Sequence, residues 1–125
     1  MTALQQALAA FFGGIGLPVY LAGWVPAGAP LPYLTLSMEE IGGARGRVTV
    51  RCWHRAAGGA NAARAGVMDA LARAVPRGGV RLTLPAGCAV LRRGAAGFQT
   101  LKDGPGAGGP VSGETVFDLD IYGSA

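Results

Sequence analysis

The chain has 125 residues, of which 50% are hydrophobic and only 14% charged, and its 11 Lys and Arg against 7 Asp and Glu give a net charge of +4. This length suits a single domain spanning residues 1–125, and the low charge excludes a disordered, charge-rich chain. One His and two Cys leave little material for metal or nucleophile chemistry. We therefore expect a binding or assembly protein rather than an enzyme, without catalytic residues, metal site or cofactor.

The apolar part of the composition predicts a thin core. Aromatic residues make up only 7% of the chain, 22 residues are Gly, and Ala supplies much of the apolar fraction. Small side chains bury little area, so one subunit gains little stability from its own core. An oligomer shares burial between its subunits, and the composition therefore favours one.

The first third of the chain carries no charge before Glu39, and no Lys or Arg before Arg45. Gln5 and Gln6 stand where a signal peptide would be positively charged. Gly and Pro residues between positions 13 and 32 interrupt the apolar run too early for a membrane span. We expect a protein made and used without export and without contact with a membrane.

The pattern of the first half predicts one helix and three strands. The helix covers residues 3–12, with Thr2 as its N-cap and glycines ending it. A short edge-like strand at 17–21 precedes a Pro-rich passage, which cannot donate ladder hydrogen bonds. Alternating apolar residues then predict strands at 33–38 and 47–55, joined by a hairpin tip at 42–46.

The second half predicts a helix from Asn61, as its N-cap, to Val75, followed by short strands at 80–84 and 88–92. The Gly- and Pro-rich residues from 103 predict a long mobile loop up to residue 113. A final strand covers 115–122. The predicted order is α-β-β-β-α-β-β-β, an α+β sandwich in which two helices pack on one face of a mostly antiparallel sheet.

Asp118 and Asp120 are two residues apart on the last predicted strand, so both side chains project from one face. Two carboxylates can share acid and base work when their environments differ. Arg47 and Arg51 have the same spacing on another predicted strand. Cross-strand ion pairs between these residues are the favoured interpretation.

Three further features have structural interpretations. Gly104, Gly106 and Gly109 match GxGxxG, but prolines flank them and no helix follows, so the match is compositional. His54 has no companion ligands at metal-binding spacing, which favours a structural or surface role. Cys52 and Cys88 look like buried, reduced thiols on strands, and a disulfide is possible only if the two strands face each other.

Arg47, Arg51 and Arg55 lie on one side of the predicted strand at 47–55, with Thr49 and Trp53 between them, and further basic residues follow on the later strands. Such a one-sided strip can follow phosphates, whereas an outward Trp beside Arg is equally typical of a subunit interface. A solvated sheet face is the third interpretation. The candidate interface or lumen residues are Arg45, Arg47, Arg51, Trp53, Arg55, Arg92, Arg93, Lys102, Asp118 and Asp120.

One family resembles this arrangement over nearly the whole chain. After the short N-terminal helix come Leu17–Tyr20 (LPVY), Val25–Pro26 and Pro30–Leu36 (PLPYLTL). The strand Val48–Trp53 (VTVRCW) leads into a helix, and a loop at Asp103–Gly104 precedes a final alternating strand. The chain resembles the tail terminator, or tail-completion, proteins of long-tailed bacteriophages and prophages.

The resemblance implies a structural virion protein of the tail-neck region, assembled in the host cytoplasm. By this resemblance, six copies would form a ring that caps the tail tube protein and docks to the head-completion or connector proteins. Genomic DNA would pass through the bore without sequence specificity. A head-closure or neck connector subunit, or a small basic nucleic-acid-binding module, are the alternatives.

Overall fold

The computed structural model describes residues 1–55, 60–94, 99–102 and 111–124, except the side chains of 60–64, 99–102 and 124. This part of the chain has an α+β fold with two helices and a mostly antiparallel sheet of seven strands. In chain order the elements are α1 (Ala3–Gly13), β1 (Val19–Leu21), β2 (Tyr33–Gly42), β3 (Arg45–His54), α2 (Ala60–Ala74), β4 (Val80–Leu84), β5 (Ala86–Arg93), β6 (Gln99–Lys102) and β7 (Val111–Ser124).

The strand order of the sheet is β1-β2-β3-β7-β5-β4, with β6 also paired to β7. Only β1 and β2 run parallel, and every other pairing is antiparallel. β5 and β6 both lie on the side of β7 opposite β3, so β6 continues the path of β5 after an interruption. The last strand of the chain therefore lies in the middle of the sheet, with β1 and β4 at its edges.

Helix α1 begins where the sequence predicts. The Thr2 side chain accepts a hydrogen bond from the backbone N–H of Gln5, and the Gln5 side chain accepts one from the backbone N–H of Thr2. This capping box satisfies two backbone donors that a helix start otherwise leaves open. The prediction of Thr2 as N-cap is confirmed.

A single hydrophobic cluster joins the helices to the sheet. Phe12 of α1 is fully buried, and its ring centroid lies 5.3 Å from that of Phe117 on β7. Leu71 of α2 is buried in the same cluster, together with Leu34 of β2 and Val50 of β3. The sheet side chains that enter this cluster define the core face of the sheet, and the opposite side is the outer face.

Alternation correctly predicts which side chains of β3 and β7 enter the core. Val48, Val50 and Cys52 are buried, and Phe117 and Leu119 are buried on the neighbouring strand. The residues between them lie on the outer face, because successive strand residues point to opposite sides. Cys52 is buried on the core face as predicted, whereas Cys88 is only partly buried, because it is paired with Tyr122 of the outer face. Neither cysteine forms a disulfide, and their positions on opposite faces exclude one between them.

The structure differs from the sequence prediction in several elements. Strand β6 was not predicted, so the element order has one strand more than expected. Residues 111–113 belong to β7 rather than to the predicted loop, whose remainder, 103–110, lies outside the described residues. Asn61 lies inside α2 and is not its N-cap. The hairpin tip shortens to Gly43–Ala44, because β2 and β3 pair up to Gly42 and Arg45.

Neither helix in the described part of the chain is long and apolar enough to cross a bilayer.

Candidate functional site

The outer face of the sheet brings most of the candidate residues together. Because β7 lies between β3 and β5, its carboxylates face arginines on both sides. One cross-strand row runs from Glu39 through Arg47 and Asp118 to Arg92. A second row places Arg45 beside Asp120. A third row places Arg51 beside Glu114, and we call the three rows the charge ladder, because charges of opposite sign face each other across the strands.

Asp120 is the centre of the charge ladder. Its Oδ1 lies 3.6 Å from the Nε of Arg45, and its Oδ2 accepts a hydrogen bond from the Nη2 of Arg92. The Asp120 side chain is only 16% exposed, whereas those of Arg45 and Arg92 are 75% and 45% exposed. One half-enclosed carboxylate therefore holds two arginines from strands that lie on either side of it.

The other two outer-face arginines of β3 also have acidic partners. The Nε of Arg51 donates to Oε2 of Glu114 at 2.9 Å, with Glu114 only 19% exposed. Arg47 lies 3.9 Å from Glu39, and both of these side chains are largely exposed. Cross-strand ion pairs do form, but not between the predicted partners, because Arg51 pairs with Glu114, Arg47 pairs with Glu39, and Asp120 pairs with Arg45 and Arg92.

Arg93 does not belong to this surface. It is paired in register with Phe117 of the core face, and its guanidinium donates to the backbone carbonyls of Val75 and Ala72 at 2.8 and 2.9 Å. These carbonyls lie at the end of α2, where a helix leaves acceptors without intrahelical partners. The basic strip predicted from the sequence therefore includes Arg92 but not Arg93, because Arg93 instead binds the end of α2 and holds it against the sheet.

Two further candidates lie outside the charge ladder. Arg55 is exposed and directly follows β3. Lys102 ends β6, opposite Ser112 of β7, and its side chain lies outside the described residues. The structure therefore unites Arg45, Arg47, Arg51, Arg92, Asp118 and Asp120 and leaves these two apart from them.

The opposite end of the outer face is aromatic. The Nε1–H of Trp53 donates to Oγ1 of the buried Thr35 at 3.0 Å. Tyr33 lies beside Trp53 in register and meets Tyr20 edge to face, with ring centroids 5.5 Å apart. A bonded indole and a packed ring pair form a rigid surface, which suits contact with another protein.

Several large apolar side chains remain exposed at the β1–β2 side of the sheet. Trp24 is 80% exposed and Ile41 56% exposed. Trp24, Tyr20, Leu21 and Met1 line an open cleft of about 490 Å³. Exposed aromatic and aliphatic groups at one side of a domain mark a place for association.

The charges of the outer face are suited to association with another protein. In the described ranges no three His, Cys, Asp or Glu side chains come together as they would around a metal ion. The carboxylate of Asp120 is held by two guanidinium groups and that of Glu114 by one, so both are ion-pair partners. Such a face offers another protein a fixed pattern of both signs of charge.

Neutralising Asp120 tests the centre of the charge ladder. Asp120→Asn should lower the free energy of unfolding by about 1–2 kcal/mol at low salt, because two guanidinium groups lose their shared carboxylate. The control Glu39→Gln removes an exposed, longer pair and should cost less than about 0.5 kcal/mol. Urea unfolding at low and high salt measures both. Equal losses for the two variants would contradict the central role of Asp120.

Glu39 and Glu114 are the members of this surface that the sequence analysis missed. A hairpin centred on Gly43 pairs Glu39 with Arg47 by counting outward from the tip, so this partner was within reach of the sequence. Glu114 needed the register between β3 and β7, which are far apart in the chain.

In comparisons with known proteins, no family model matches the chain, and no curated protein matches it either.

Proposed function

We propose that the protein is a structural virion subunit, a tail terminator that forms a ring, with six copies as the expected number. The ring caps the tail tube protein, docks to the head-completion or connector proteins and lets genomic DNA pass. The resemblance of the Leu17–Leu36 region supplies the family, and the geometry of the sheet supports it. In this proposal the protein works in the tail-neck region of the virion after assembly in the host cytoplasm.

The observation that carries the proposal is the charge ladder. Arg45 and Arg92 share Asp120, and Arg47 and Arg51 pair with Glu39 and Glu114. Arginines that are already neutralised by neighbours attract phosphates weakly. A wall of this kind suits a passage through which DNA must slide, and it also suits contact with the charged surface of a neighbouring protein.

The same observation separates this proposal from the nucleic-acid-binding alternative. A dedicated nucleic-acid platform presents unpaired basic groups with aromatic rings between them. Here the arginines alternate with acids, and the aromatic residues Tyr33 and Trp53 gather at the other end of the outer face. The proposed architecture places both helices on the core face, which leaves the outer face open to partners.

Purified protein tests the proposal directly. Size-exclusion chromatography with light scattering, followed by negative-stain imaging, should detect closed six-fold rings, either alone or after addition of assembled tail tubes. Bound protein should stop further growth of the tubes at one end. Rings that join head-completion proteins without touching tubes would favour the connector alternative. A monomer that ignores tubes and binds DNA with steep salt dependence would contradict the proposal.

A further inference from the structure

The sheet has a free edge on β2. β1 pairs only with Leu34–Leu36, so the second half of β2, Ser37–Gly42, lies beyond it. The N–H of Leu34 donates to Pro18, and the carbonyl of Leu36 accepts from Ala22, on the β1 side. Backbone groups of a strand alternate with a period of two, so those of Met38 point to the same side. No described strand pairs with them there.

The opposite edge of the sheet is β4, which no described strand covers on its outer side. Four antiparallel steps lead from β2 through β3, β7 and β5 to β4, so β2 and β4 run in the same direction. β4 has 5 residues, close to the length of the free half of the 10-residue β2. The two edges can therefore meet when copies repeat in one orientation.

The two edges carry opposite charges. Glu39 and Glu40 are exposed on the free half of β2, whereas Arg81 on β4 and Arg77 in the turn before it are exposed at the other edge. Glu39 lies in the row of Asp118, and Arg81 lies in the row of Asp120, so both belong to the outer face. Joined edges place these two side chains on the same face, where opposite charges attract.

Apolar side chains lie along the same free edge. In the described part of the chain, Trp24, Met38 and Ile41 are among the few large apolar residues left exposed, at 80%, 37% and 56%. Trp24 follows the end of β1, Met38 lies on the core-face side of β2, and Ile41 is near the hairpin tip. Leu82 is the core-face residue at the centre of β4. An added strand would cover this apolar margin.

We propose that β4 of a second copy adds to the free half of β2, so that the sheet continues head to tail from one subunit to the next. Main-chain hydrogen bonds supply the affinity, and the attraction between Glu39 and Arg81 on the outer face, with the charges of Glu40 and Arg77 at the same two edges, sets the partner. Two β2 edges, or two β4 edges, would bring like charges together. The inference rests on the proposed ring function and names the contact that builds the ring.

Charge exchange tests the head-to-tail contact. The acidic-edge variant carries Glu39→Arg and Glu40→Arg, and the basic-edge variant carries Arg77→Glu and Arg81→Glu. Each alone should run at the 12.6 kDa of one chain in light scattering. An equimolar mixture should recover the wild-type assembly, because each contact again joins opposite charges. A variant with all four changes should assemble by itself. The control, Asp69→Arg with Arg73→Glu on exposed positions of α2, should assemble like wild type.

Cysteine cross-linking tests the contact where assembly is transient. In a Cys88→Ser background, the Glu39→Cys and Arg81→Cys proteins are oxidised in two ways, each protein alone and the two together in an equimolar mixture. A covalent dimer should form in the mixture and be at least tenfold weaker in either protein alone. If one variant alone forms the covalent dimer as readily as the mixture, two identical edges meet, and the head-to-tail inference is wrong.

The outcomes separate the contact from the proposed function. If both charge variants form the same rings as the wild-type protein, and the cysteine mixture gives no cross-link, the inference is overturned. The proposed ring function then still stands. If the wild-type protein forms no rings, either alone or after tail tubes are added, the proposed function is contradicted. The cross-linking experiment then tests the edge contact independently. Circular dichroism of each variant confirms that the fold is retained.

Discussion

Gly87→Ala should lower the free energy of unfolding by about 2–3 kcal/mol or more, because the added methyl has no space. A Cβ at Gly87 would overlap the carbonyl oxygen of Tyr122 and lie 3.0 Å from the Cα of Gly123. Both obstacles are backbone atoms of β7, which cannot turn aside as a flexible side chain does. The change therefore strikes the pairing of β5 with β7, on which the β4 edge depends.

A matched glycine in α2 controls for the change of residue type. A Cβ at Gly66 meets nothing within 4 Å, and the position lies inside the helix. Gly66→Ala should therefore stabilise the protein by about 0.5–1 kcal/mol through helix propensity. Urea unfolding followed by circular dichroism compares the two. If Gly87→Ala unfolds at the wild-type midpoint, the close approach of β5 and β7 is wrong.

Phe117→Ala should cost about 3–5 kcal/mol, because it removes a large aromatic side chain from the centre of the core. Phe117 is 1% exposed, and its ring meets that of Phe12. It also lies on β7 between Val48 of β3 and Arg93 of β5. A domain of this size is stable by only about 5–15 kcal/mol, so the loss is a large part of the total.

The neighbouring residue on the same strand provides the control for Phe117. Val116 lies on the outer face and is only half-buried. Val116→Ala should therefore cost less than about 1 kcal/mol. Thermal unfolding at one protein concentration distinguishes the two variants. Similar melting temperatures for both would contradict the location of the core on the Phe117 side of the sheet.

The two replacements also separate folding from assembly. Gly87 and Phe117 support the middle of the sheet, whereas the charge variants of Glu39 and Arg81 alter only exposed edge positions. Loss of rings with an unchanged unfolding midpoint therefore indicates the edge contact. Loss of rings together with a lower midpoint indicates a damaged fold.

Local patterns predicted the parts of the fold that depend on neighbouring residues. Thr2 and Gln5 are close in the chain, so the capping box at the start of α1 is a local event. Alternation assigned Val48 and Phe117 to the core and Arg47 and Asp118 to the outer face, because side-chain direction in a strand follows from backbone geometry alone. The α+β class and the mostly antiparallel sheet followed from the same periodicities.

The element missed by the sequence depends on contacts between distant segments. Gln99–Lys102 is too short to show a period, and it becomes a strand because β7 offers it an edge beside the end of β5. Residues 111–113 look like loop by their composition, yet they extend β7 along β3. At Gly113 a side chain would meet Met68 of α2 and Cys52, so glycine is needed there for close packing rather than for a turn.

The sequence by itself determined which residues of β3 and β7 face the core and which face outward, because that choice depends only on the strand period. Only the tertiary structure decided which charges meet. Glu114 pairs with Arg51, Asp120 joins Arg45 to Arg92, and Arg93 leaves the surface to bind the end of α2. These partners depend on strand order and register, and those are set when the whole core is buried. The composition shows only a modest basic excess, whereas the structure pairs acidic and basic side chains on the outer face and leaves two open edges of opposite charge beside it.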